Sequence, residues 1–169
     1  SSANDAANGL AEYVSGSNES FAALMNSRAK ELGAYNTNFS NPSGLFGADH
    51  YTTCYDMALI MRECLRNETF RQIISTTRYT VPPTNMTASE RVYDNHCKLI
   101  QPADDRYYEY CIGGKTGYTD LAWRTLVTAA EKDGHTLICV TMHGPNAQDF
   151  TDTKNLFEYG FNDMLDCNF

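Results

Sequence analysis

Two short runs carry the side chains best suited to chemistry. The first is Gly113-Gly114-Lys115-Thr116-Gly117, inside "YCIGGKTGYTD" at residues 110–120. An ammonium beside a hydroxyl is a natural anion site, and Gly-Lys-Thr invites comparison with a phosphate-binding loop. Such a loop places a glycine well before the Gly-Lys-Thr and runs straight into a helix, whose N-terminal N–H groups hold the phosphate. The residues four and five before Gly114 are Tyr110 and Glu109. Downstream, a polar turn leads to "TLVTAAE", which has the composition of a strand. Both surroundings argue against a nucleotide. The second run is Ser2-Ala3-Asn4 at the head of an apolar helical pattern. Residues two apart in an extended or turning segment face the same side, so the Ser2 hydroxyl and the Asn4 amide would share one wall of a cleft. Taken alone, Ser2 is equally well explained as an N-cap.

These runs need elements to hold them. Ala3, Ala6, Ala7, Leu10, Ala11 and Val14 recur at helical spacing and stop at Ser15-Gly16. A second helix, capped by Ser17 or Asn18, places Phe21, Leu24, Met25, Ala29 and Leu32 on one stripe and ends at Gly33. Residues 34–51 are rich in turn formers and read as a long loop. Thr53 and Asp56 resemble a capping box for a third helix, whose apolar side takes in Met57, Ala58, Ile60, Met61, Cys64 and Leu65, with Cys54 assigned to the same side. "ETFRQIIS" predicts a short fourth helix. The period then changes to two: "RYTVPP", "ERVYDNHCKL" and "YYEYCIGG" read as extended, and "WRTLVTAAEKDGHTLICVTM" as a hairpin turning at Asp133-Gly134. Asp149 is the predicted cap of a last helix carrying Phe150, Leu156, Phe157 and Phe161. The expected organisation is one domain, helical over about 1–76, β-rich over about 77–145 and closed by a helix over about 149–165. Its class is α+β, with helices on both faces of an antiparallel sheet.

Composition narrows the function. A chain of 169 residues with 42% hydrophobic and 12% aromatic residues can build a core. Its net charge of −8 lacks the clustered Lys and Arg that a nucleic-acid surface requires. No apolar run reaches the roughly 20 residues that span a bilayer, so any membrane attachment is expected from segments outside this chain. The six cysteines, at 54, 64, 97, 111, 139 and 167, contain no C-x-x-C pair, and no metal or other cofactor is expected. They read as core thiols, with a disulfide among Cys97, Cys111 and Cys167 as the alternative. Asn18, Asn67 and Asn85 each begin a glycosylation triplet, a pattern short enough to arise by chance.

An S-x-N before a helix and a K-T-G on a strand are two of the three signatures of penicillin-binding proteins and class A β-lactamases. The resemblance extends along the chain through "SSANDAANGLAEYVSGS", "FAALMNSRAKELG", "NTNFSNPSGL", "HYTTCYDMALIMR", "FRQIISTTRYTVP", "NHCKLI" and "GGKTGYTDLAWRTLVTAAEKDGHTLICVTM". In this order the segments resemble the low-molecular-mass D-alanyl-D-alanine carboxypeptidases. That likeness implies a β-lactamase/transpeptidase-like three-layer fold. It also implies a serine acyl-transfer enzyme that removes the terminal D-Ala from peptidoglycan stem peptides and takes β-lactams as inhibitors, in the bacterial cell envelope. It assigns Ser2 and Asn4 to catalysis, the first as a proton relay. Lys115, Thr116, Gly117 and Tyr118 are assigned to the substrate: Lys115 and Thr116 to its carboxylate, Gly117 to close backbone approach, and the Tyr118 N–H to an oxyanion hole.

Two departures accompany the resemblance. The nucleophile of these enzymes is the Ser of an S-x-x-K upstream of the S-x-N, and the literal match here is Ser27-Arg28-Ala29-Lys30. At about 100° per residue, Ser27 and Lys30 lie opposite the apolar stripe, facing solvent in mid-helix. The expectation is therefore a C-terminal portion of a catalytic domain, lacking the N-terminal strands and the nucleophile helix. Trp123 stands where the family usually has a small residue, either narrowing the cleft or packing on the sheet, and Arg124 reads as an exposed hairpin residue. A β-lactamase would need a deacylating carboxylate that no local motif announces. A non-catalytic peptidoglycan-binding module is the remaining alternative.

Overall fold

Helix boundaries follow local capping chemistry in the computed structural model, which describes residues 2–145 and 148–164. Helix α1 (Asn4–Ser15) ends at Gly16, which takes the left-handed conformation, and Ala3 rather than Ser2 occupies its N-cap without a side-chain bond. The Ser2 hydroxyl is therefore available for another partner. Helix α2 (Asn18–Glu31) is capped by Ser17, whose hydroxyl accepts from the Ser20 N–H. Its buried residues are Ala22 and Ala29, while Leu24 of the predicted stripe is left 52% exposed.

Helix α3 (Cys54–Cys64) starts where the Thr53 hydroxyl accepts from the Asp56 N–H. Half of the predicted capping box forms. The Asp56 carboxylate turns away from the helix start and accepts from the Asn36 N–H and the Thr37 hydroxyl, both at 2.7 Å. Buried to 1% exposure, Asp56 ties the 34–51 loop to the helix. Cys54 is exposed at the first position of α3, contrary to its expected place on the apolar side. A Thr53 cap fixes the helix rotation that turns it outward. Helix α4 (Glu68–Ser75) is capped by Asn67, which accepts from the Phe70 N–H.

Strands β1 (Arg78–Val81) and β2 (Arg91–Asp94) pair as a separate two-stranded ribbon, and a short 3-10 turn, Lys98–Ile100, follows. The main sheet is the antiparallel meander β3 (Cys111–Thr119), β4 (Trp123–Lys132) and β5 (His135–Gly144), in that spatial order. Asp133 and Gly134, both at positive φ, make the tight β4–β5 turn. Helix α5 (Asp149–Tyr159) then continues as a π-helical turn, Gly160–Met164. Gln148, not Asp149, holds its N-cap position. Asp149 is the first helical residue, buried, where a carboxylate complements the helix dipole. The predicted helix end at 165 and Cys167 lie outside the described residues.

The sheet alternation makes three layers. Leu126, Ala130 and Cys139 point to one face, where they meet Phe150, Phe157 and Phe161 together with Leu99, Ile100 and Tyr108. Ala129, Val127 and Ile138 point to the other, against Met61, Leu65, Phe70 and Ile74 of α3 and α4. Each fully buried large side chain contributes about 1.5–3 kcal/mol relative to exposure. Arg71 of α4 adds an ion pair to Glu131 of β4 at 2.8 Å. The class is α+β, with helices on both faces, as the residue pattern predicts.

Candidate active site

Strand β3 is an edge of the sheet among the described residues, and its glycines are explained by packing. A Cβ at Gly113 would lie 2.6 Å from the Ile74 carbonyl oxygen, and its φ of 141° is closed to ordinary side chains. A Cβ at Gly114 would lie 2.5 Å from both the Val127 carbonyl oxygen and Thr128 Cγ2. The double glycine therefore seats β3 against α4 and β4. A register shift between Cys111 and Gly113 absorbs the approach. This is the structural reason that the run resembles a phosphate loop without being one.

Beyond that seat, the pleat points Lys115, Gly117 and Thr119 to the face of Val127, Thr125 and Trp123, the side carrying α3 and α4. The Lys115 ammonium donates to Ser2 Oγ at 2.7 Å and to the Thr116 carbonyl at 2.5 Å. Two residues 113 positions apart thus bring the head of α1 against β3. Crowding along the lysine stem partly desolvates it, which lowers the ammonium pKa from its ordinary value even though the side chain remains exposed.

The other predicted residues are distributed around this bond. Asn4 is the exposed first residue of α1. Thr116 is half-buried on the opposite pleat, beside Leu126. Gly117 faces Thr125 so closely that a Cβ there would be 2.4 Å from Thr125 Oγ1. Tyr118 is 66% exposed, with its phenol donating to Asp120 at 3.3 Å. Ser27 is exposed in the middle of α2, whose buried residues are on the other side. Trp123 stacks on His143 of β5, with ring centroids 4.2 Å apart and planes 8° from parallel. Both residues have positive φ, 54° and 57°. The ring thus packs on the end of the sheet toward β5, and Arg124 is exposed beside it. Sequence reasoning overlooked Thr125 and His143. Thr125 carries a signal in retrospect, since the hairpin register places it opposite Gly117; His143 carries none. Among the described residues no His, Cys, Asp and Glu group could hold a metal, and no helix is long and apolar enough to cross a membrane.

A D-alanyl-D-alanine carboxypeptidase profile matches residues 1–146. The chain belongs to that family. D-alanyl-D-alanine carboxypeptidase DacB2 of Mycobacterium tuberculosis is 38% identical over 170 residues, covering 95% of this chain and 54% of the relative. DacF of Bacillus subtilis is 38% identical over 139 residues, covering 82% of this chain and 34% of the relative. The chain therefore spans about a third to a half of the length of these curated relatives. Among solved structures, a D-alanyl-D-alanine carboxypeptidase from M. tuberculosis superposes with a TM-score of 0.80 at 35% identity, covering 95% of this chain and 60% of that one. The Streptomyces K15 DD-transpeptidase superposes with a TM-score of 0.76 at 30% identity, covering 84% and 54%. The three-layer arrangement is thus that of the transpeptidase-like family.

Proposed function

We propose that this chain forms the substrate-binding part of a serine-type D-Ala-D-Ala carboxypeptidase. It acts on peptidoglycan stem peptides ending in D-Ala-D-Ala, is inhibited by β-lactams, and works outside the cytoplasm in the bacterial cell envelope. The single observation that carries this reading is the 2.7 Å bond from Lys115 to Ser2. It joins a cationic strand to a hydroxyl-bearing helix start, which is the arrangement an acyl transfer from a carboxylate-terminated peptide needs.

The chemistry follows from the groups present. The free carboxylate of the terminal D-Ala pairs with the Lys115 ammonium and the Thr116 hydroxyl. The peptide lies along the open edge of β3, where Gly117 presents no Cβ. A serine hydroxyl attacks the carbonyl of the penultimate D-Ala, and the Tyr118 N–H stabilises the oxygen that gains charge, a donor worth about 3–4 kcal/mol. The C–N bond breaks as Ser2, bonded to Lys115, passes a proton to the departing amine, while the Asn4 amide orients the substrate carbonyl. Water then attacks the ester, releasing the shortened peptide and the serine. The nucleophile and its lysine base belong to sequence outside these 169 residues. Ser27 lacks the buried helix-start setting that activates a serine.

The test uses the full-length protein with a fluorescent penicillin and a diacetyl-Lys-D-Ala-D-Ala peptide. The expected result is a covalent adduct on a serine outside this region, with peptide hydrolysis lost on Lys115→Ala. The 169-residue chain alone should gain no adduct. Labelling at Ser27 would overturn the assignment. Rapid penicillin turnover without peptide hydrolysis would make the protein a β-lactamase, and binding without either reaction a recognition module.

A further inference from the structure

Two cysteines unused by this chemistry meet at the foot of the substrate-binding strand. Cys111 opens β3, four residues before Lys115, and Cys97 sits at the start of the 3-10 turn that follows β2. Both belong to the same apolar cluster, Cys97 at 1% exposure and Cys111 packed against the cluster's edge. Each thiol is the main influence on the other's titration, drawing Cys97 below the ordinary thiol value and pushing Cys111 above it.

The backbone holds both positions against the same point. Asn95 Nδ2 donates to the Ile74 and Thr76 carbonyls at 3.1 Å, and Asn95 Oδ1 accepts from the Cys97 N–H at 2.9 Å. On the other strand the Cys111 N–H donates to the Tyr108 carbonyl at 2.9 Å, and Gly113 is seated over that same Ile74 carbonyl. The end of α4 thus anchors both cysteine-bearing segments at one point. Access is provided as well. A cavity of about 440 Å³ between α4 and the start of β3 is lined by Glu68, Arg71, Gln72, Ile100, Cys111 and Ile112 among others. A small oxidant therefore reaches Cys111, while Cys97 lies behind it.

We propose that Cys97 and Cys111 are a redox-linkable pair, an intrachain disulfide site that staples the foot of the substrate-binding strand to the β2–β3 connection. The reaction is thiol–disulfide exchange with an external disulfide. Cys111 Sγ, the sulfur that borders the cavity, attacks one oxidant sulfur as it gives up its proton, releasing the first oxidant thiol, and a mixed disulfide results. The Cys97 thiolate then attacks Cys111 Sγ and releases the second. The two cysteines lose two protons and two electrons, and the oxidant disulfide gains them as two thiols. The proposal rests on the cysteine geometry and not on the catalytic reading, so either can fail alone.

The experiment incubates the 169-residue chain with glutathione disulfide, alkylates the remaining thiols under denaturing conditions and digests with trypsin. Cys97 and Cys111 fall in separate peptides, residues 92–98 and 107–115. The expected product is these two peptides cross-linked, with two fewer alkylated thiols. Closing a loop of about 15 residues should raise the unfolding midpoint by roughly 10 °C, reversibly on reduction by a phosphine. Cys111→Ser should remove both effects. If that variant misfolds, oxidised and reduced wild-type chains decide the matter. Full alkylation of both cysteines, a lasting glutathione adduct on Cys111, or a link from either to Cys167 would each overturn the proposal.

Discussion

Gly117 offers a way to separate packing from function on the substrate-binding strand. In Gly117→Ala the new Cβ sits 2.4 Å from Thr125 Oγ1 but 3.8 Å from Thr125 Cβ. The clash is therefore with the hydroxyl alone. Forcing Thr125 into another rotamer, or shifting the edge, costs about 1–3 kcal/mol, the usual range for one added carbon in a filled site. An alanine is also better than glycine in a strand by up to ~1 kcal/mol, so the net loss should be about 1–2 kcal/mol. Adding Thr125→Ala removes the oxygen and leaves an ordinary 3.8 Å contact, which should restore most of that stability. Activity should behave differently. If the peptide lies against the edge of β3, the methyl at residue 117 obstructs it whether or not Thr125 is trimmed. In the full-length enzyme, the double variant should recover its unfolding midpoint to near that of Thr125→Ala, while penicillin acylation and kcat/KM on the D-Ala-D-Ala peptide remain at least tenfold down. Recovery of acylation together with stability would refute the reasoning, because Gly117 would then matter only for its fit against β4.

Three further outcomes follow from the same geometry. The Lys115 ammonium is the form that binds a carboxylate, so kcat/KM should fall as pH rises through its pKa; because desolvation lowers that pKa, the alkaline limb should begin below the ordinary lysine range and move to higher pH in Lys115→Arg, as read from a pH–rate profile. Gly113→Ala adds both a 2.6 Å contact with the Ile74 carbonyl and a strained φ, and should lose about 2–5 kcal/mol by denaturant titration, whereas Lys115→Ala, on an exposed side chain, should stay within about 1 kcal/mol of wild type. Asp56→Ala strands the Asn36 N–H, at about 1–3 kcal/mol, while the Thr37 hydroxyl keeps Thr52 as its partner, and should speed proteolysis within residues 34–51 before global unfolding.

The fold was legible where a local rule had no competitor. Gly16, Gly33 and Gly134 sit at positive φ where the pattern asked for turns, and Ser17 and Thr53 cap the helices they precede. Rules failed where a second interaction claimed the same group. Thr53 and Asp56 read as a reciprocal box, yet the carboxylate is worth more buried against two donors of the loop than returned to an exposed N–H. Asp149 read as a cap and became a buried first-turn acid, because the chain turns one residue earlier at Gln148. Leu24 belongs to a helical stripe by spacing, but Ala22 and Ala29 are the residues of α2 that are buried. The site shows the same division. Lys115 was identifiable from its triplet, since strand alternation alone fixes which face it takes. Its meeting with Ser2 was legible only through the family resemblance, which sets the two runs on facing walls of one cleft, because the N-cap rule assigns Ser2 a backbone partner inside its own helix. That contact exists because Ala3 takes the N-cap position and leaves the Ser2 hydroxyl outside. A residue relieved of a local structural duty is thus the one able to reach across the cleft, and local propensity is least informative at such positions.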